Sequence, residues 1–119
     1  INAKKYSIKL NIRLSPDFDD LDTNQKVFIY VKSEDETNNM PIIVLPKKVA
    51  DLPLYVELDD SMAMLPSSKL SDYQSVRVIA RVSKTGNAIA SKGDPIGVIE
   101  SVSTNSNETI ELIINKIVP

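Results

Sequence analysis

The stretch DLPLYVELDDSMAMLPSSKLSDYQSVRVIARVSKTGNA, residues 51–88, decides the fold. Leu52 to Leu58 alternates, with Leu54, Val56 and Leu58 on one side. That period of two is the mark of a half-buried strand. An acidic corner and a short Met-rich turn follow, with Asp60 or Ser61 placed to cap a turn over Met62 to Leu65 that Pro66 stops. Val76 to Val82 then alternates again, setting Val78, Ala80 and Val82 opposite Arg77, Ile79 and Arg81. Thr85-Gly86-Asn87 tolerates positive φ and turns the chain.

The same period runs outward in both directions. Toward the start, Tyr6, Ile8, Leu10, Ile12 and Leu14 share one face of a strand from Lys5 to Leu14. Lys26 to Ser33 is apolar on both faces, as a central strand covered twice should be. Pro41 to Leu45 is a short apolar run closed by Pro46. Toward the end, Gly93-Asp94-Pro95 signals a turn, Ile96 to Val102 a strand, and Thr109 to Val118 one long closing strand. Ser15-Pro16-Asp17 reads as the capped start of a short helical turn reaching Leu21. About seven strands with one or two helical turns predict an all-β, antiparallel Greek-key sandwich, Ig-like or cupredoxin-like, over residues 1–119 as a single domain.

Composition removes whole classes of chemistry. The 119 residues contain no cysteine and no histidine, which takes away disulfides, thiolate sites, the commonest metal ligand and the usual general base. A formal charge of −2 offers nothing to a phosphate backbone, so nucleic acid is not an expected partner. Lys4-Lys5 and Lys47-Lys48 are isolated pairs, too small for a polyanion track. The chain opens on Ile1 without a signal-peptide pattern, and reads as a piece of something longer.

Each remaining candidate site has a plain structural reading beside it. Asp17, Asp19, Asp20 and Asp22 offer calcium several carboxylates, but lack the glycine and bidentate glutamate of an EF-hand loop. A solvated helix start accounts for them. Asp59 and Asp60 are adjacent, and neighbours in a strand face opposite ways, so corner formation fits better than paired acid–base work. Met62 and Met64 carry thioethers, yet a blue-copper site needs the histidines and cysteine this chain lacks. No Ser-x-x-Lys spacing occurs, and Lys84 and Lys92 sit in turn-like segments that offer no buried base. Asn107-Glu108-Thr109 fits a glycosylation pattern that short strings reach by chance. Apolar side chains at Ile43, Leu45 and Ile79 either form a docking edge or lie under the second sheet.

Ala50-Asp51-Leu52-Pro53, leading into a strand and then Asp59-Asp60-Ser61-Met62-Ala63-Met64, is the most specific run. With Leu14-Ser15-Pro16, Lys26 to Val31, Arg77 to Arg81, Ser83 to Ala88, Gly93-Asp94 and Ile113 to Pro119 in order, the chain resembles the periplasmic C-terminal domain of CycH/CcmI-type proteins of c-type cytochrome biogenesis. The resemblance implies a Gram-negative protein anchored in the inner membrane, with TPR repeats upstream of this domain. It implies work in the haem-lyase complex, with apocytochrome c or other subunits of that complex as partners. It implies no catalysis, no cofactor and no direct haem binding. No functional residue transfers from it. The irregular corner supplies the expected partner contact, at Asp59, Asp60, Met62, Met64 and Lys69. The alternative is a generic extracytoplasmic binding or adhesion sandwich.

Overall fold

The computed structural model describes residues 7–18, 21–34, 41–62, 69–84, 86, 92–105 and 108–118. Within them, eight strands form two sheets: β1 (Ser7–Leu14), β2 (Lys26–Ser33), β3 (Pro41–Lys48), β4 (Leu54–Asp59), β5 (Ser75–Ser83), β6 (Pro95–Ser103), β7 (Thr109–Ile114) and β8 (Lys116–Ile117). The small sheet runs β4-β1-β7 and the large one β3-β2-β5-β6-β8. The all-β sandwich expected from the sequence is therefore present.

Alternation places the core. Ile8, Leu10 and Ile12 of β1, Leu58 of β4, and Leu112 and Ile114 of β7 are buried from the small sheet. They meet Val27, Ile29 and Val31 of β2, Ile43 of β3 and Val76, Val78, Ala80 and Val82 of β5. Each such Val, Leu or Ile side chain contributes about 1.5–3 kcal/mol by leaving water. Ile43 is fully buried and Leu45 packs against the same core, so the second sheet covers both and they form no docking edge.

The pairing departs from a purely antiparallel sandwich at one place. β1 lies antiparallel to β4 but parallel to β7, with Leu10 opposite Ile110 and Ile12 opposite Leu112. Parallel neighbours need a long crossover, and here nearly the whole chain supplies it. The long closing strand is also split. After Ile114 the chain leaves the small sheet at Asn115, and Lys116–Ile117 joins the large sheet beside Pro95 and Ile96. Gly97 stands where this switch passes over β6: a Cβ there would lie 2.3 Å from the Ile113 carbonyl oxygen. Only glycine permits that approach.

β3 continues through Pro46 to Lys48 instead of stopping at Leu45. The Val49 amide donates to the Gln25 carbonyl, which sets the ladder phase so that Lys47 and Leu45 bond to β2 while Pro46 faces outward. Pro46 thus has no donor to lose on the outer side of an edge strand. β4 starts at Leu54, one step after Pro53.

Among the described residues the helical turns are short 3-10 turns. Ser15 starts Pro16–Phe18 as its sequence implies, its hydroxyl accepting from the Asp17 amide at 3.3 Å. Val49–Asp51 and Leu70–Asp72 repeat one device that the sequence reading passed over: Lys-(Val/Leu)-x-Asp. In each, the aspartate accepts the lysine amide at 2.9 Å, and the apolar residue after the lysine is buried.

Candidate functional site: the acidic corner, the buried arginine and the open edge

At the end of β4, Asp59 accepts both the amide and the hydroxyl of Ser61 on Oδ1. It thereby caps the turn Asp60–Met62, while the turn expected over Met62 to Leu65 lies, past Met62, outside the described residues. The strand end delivers Asp59 with extended backbone, which is the geometry a cap needs. Asp60 is half-buried, and Met62 is 38% exposed. Lys69 is half-buried and its amide is held by Asp72. Met64 lies outside the described residues, as do Met62's following neighbours to Ser68. Among the described residues of the corner, backbone capping sets its shape and Met62 is the exposed apolar side chain.

Of the four aspartates weighed for calcium, Asp19 and Asp20 lie outside the described residues. Asp22 accepts the Asn24 amide at 2.9 Å, and Asp17 serves the Ser15 turn. Among the described residues, no group of three or more acids is arranged to hold a metal.

Among the described residues, the densest polar chemistry lies on the face of β5 that carries Arg77, Ile79 and Arg81. Arg81 is 1% exposed on the outer side of the large sheet, its Nη1 2.7 Å from Oδ2 of fully buried Asp94. Its Nη2 donates to the Tyr30 hydroxyl at 2.9 Å, and its guanidinium lies 5.7 Å from the Phe28 ring centre. Phe28 and Tyr30 stack 6.1 Å apart, and Lys32 closes over Tyr30. The outer face of β2 is therefore covered, as its two apolar faces required, but by an arginine and not by another sheet among the described residues. Asp94 also accepts the Lys84 amide at 3.2 Å, and its carbonyl accepts the Val118 amide. Asp94 thus ties the β5–β6 connection to the sheet through its carboxylate and the final segment through its backbone carbonyl. Strand register brings Arg81 beside Phe28, and register is absent from any local pattern.

A polar surface cleft of about 520 Å³ opens beside the Leu70–Asp72 turn. Its Asp72 carboxylate already holds the Lys69 amide, and its Thr104 hydroxyl donates to the Tyr73 and Gln74 carbonyls. Nearby Glu34 is exposed, and hydrogen bonds from Ser75 and then Ser101, with the Arg77 charge, hold its carboxyl below the usual range.

Two layered sheets with a parallel β1–β7 pair and a strand that changes sheet define an Ig-like β-sandwich. The chain belongs to the family of the cytochrome c-type biogenesis protein H Ig-like domain, whose profile matches residues 8–115. It is 43% identical over 76 residues to the cytochrome c-type biogenesis protein CycH of Pseudomonas aeruginosa. That match takes in 64% of this chain and 18% of the relative, so the chain spans a small part of the protein it resembles. No solved structure matches it. Among the described residues, no helix is long and apolar enough to cross a membrane.

Proposed function

We propose that this chain is a non-catalytic periplasmic domain of a membrane-anchored cytochrome c maturation protein. It assists apocytochrome c delivery and haem-lyase assembly through protein–protein contacts. The observation that carries this reading is the family match across residues 8–115. The absence of histidine and cysteine from the sequence fits it, because haem would find only Met, Lys or Tyr as a ligand. The mechanism is positioning. Tethering one polypeptide beside another raises its effective concentration without any change in chemistry. The contact is assigned to the corner carrying Asp59, Asp60, Met62, Met64 and Lys69, where Met62 offers an adaptable apolar group beside carboxylates.

The test is a binding assay of this chain against haem-free cytochrome c and against periplasmic segments of the haem-lyase subunits. Asp60→Asn, Met62→Ala and Met64→Ala together should weaken one of these interactions. Unchanged affinity for every partner removes the corner as the contact. Failure of the unmodified chain to bind any of them removes the docking reading itself.

A further inference from the structure

The direction of β4's backbone groups follows from one hydrogen bond. The Ser15 amide donates to the Ile114 carbonyl, so it points from β1 toward β7. Across a planar peptide the Leu14 carbonyl then points the other way, toward β4. Alternation carries this back along β1: Ile12, Leu10 and Ile8 face β4 and bond to Leu54, Val56 and Leu58. The backbone N–H and C=O of Tyr55 therefore point away from β1, and those of Glu57 and Asp59 lie on the same side. Among the described residues no further strand is joined to β4.

Of the four edge strands among the described residues, β3 and β4 lie away from the switch that joins β7 to β8, and these two differ. β3 presents Pro46 outward and carries Pro41, Lys47 and Lys48, the residues that discourage strand addition. β4 carries no proline and no lysine. Tyr55 is 52% exposed on the outer face, while Leu54 and Val56 are half-buried at the margin of the core, where one more strand would complete their burial. The outer row continues into Glu57 and Asp59, and Asp60 follows in the turn beyond.

We propose that β4 accepts an extended segment of an unfolded polypeptide as an added strand, centred on Tyr55. The segment puts apolar side chains over Leu54 and Val56 and basic ones along the acidic row. Backbone pairing reads a main chain whatever its sequence, and alternate side chains select among segments. This rests on the docking reading above and deepens it: the occupant is the substrate chain in its unfolded state, and the acidic corner lies at one end of its track.

The probe is haem-free cytochrome c with alkylated cysteines, added to this chain. Binding should slow hydrogen exchange at the Tyr55 amide and leave the Lys48 amide unchanged. Tyr55→Pro removes the outward donor without touching the β1 ladder, and should weaken binding about tenfold or more, beyond the loss from Tyr55→Ala. Equal losses for Pro and Ala, with no slowed exchange at Tyr55, would overturn strand addition while leaving docking intact. So would a helical signal induced in the probe. Self-association of the chain abolished by Tyr55→Pro would overturn the choice of occupant in favour of a second copy. If Tyr55→Pro does not fold, the exchange result on the unmodified chain decides. Binding of haem-lyase segments but not of the probe also overturns the inference, without touching the broader reading.

Discussion

Arg81 and Asp94, thirteen residues apart in the chain, form an ion pair of 2.7 Å with both side chains almost wholly removed from water. Desolvating two charges is costly, and further polar and aromatic contacts on both partners offset that cost. Arg81 reaches Tyr30 and lies over Phe28, while Asp94 also serves the Lys84 amide. Asp94→Ala should therefore cost about 3–5 kcal/mol, because it strands a buried guanidinium. The double change Arg81→Met with Asp94→Leu should recover much of that loss. Urea unfolding of the three chains measures both effects, and a double mutant no more stable than Asp94→Ala would contradict the pairing.

The Tyr30 hydroxyl is the second partner of that guanidinium. Tyr30→Phe should keep the ring stacking with Phe28 and lose about 1–2 kcal/mol from the missing acceptor. The same unfolding series resolves it from the larger Asp94 effect.

Gly97→Ala should destabilise by about 1–3 kcal/mol, since the new methyl meets a carbonyl of the main chain that cannot rotate aside. Val98→Ala, at an exposed neighbour, should change stability by no more than about 0.5 kcal/mol. A thermal melt in which the two variants behave alike would show that the strand switch at Asn115 does not press on β6.

Thr104 is fully buried, and its hydroxyl donates to carbonyls of the segment that enters β5. Thr104→Val keeps the shape and removes the donor, with an expected loss of about 1–2 kcal/mol. Thr104→Ser should retain most of the stability, and that comparison separates the hydrogen bond from packing.

Glu34 links pH to stability with a definite sign. Its folded pKa is lowered, chiefly by hydrogen bonds from Ser75 and Ser101, so its stabilisation is present above the ordinary value of 4.5. It fades as pH falls through the lower folded value. Glu34→Gln should flatten that part of the acid limb in unfolding midpoints measured from neutral pH downward. The carboxylate is exposed, so the effect is small and sensitive to salt.

Much of this architecture is legible along the chain because burial follows side-chain alternation. Ile8, Leu10 and Ile12 announce a strand face, and Val78, Ala80 and Val82 another, before any partner is known. Gly86 and Gly93 both take the positive φ that their turn signals anticipated. The short turns were harder to read. A 3-10 turn has no apolar stripe, and its mark is an aspartate three residues after a lysine, as at Lys48 and Asp51. Pro46 looks like a strand stop in local sequence, because its harmless outward position depends on which ladder groups face β2.

Local order along the chain, by itself, determined the strand content, the inward faces and the absence of thiol and imidazole chemistry, since each depends only on residue type and spacing. Tertiary structure alone decided that β1 runs parallel to β7, that the last strand divides between sheets, and that Arg81 is buried against Asp94. It also decided which backbone groups of β4 face outward at Tyr55. These depend on pairing partners far away in the chain, and a period of two reports which way a side chain points but not what stands opposite it.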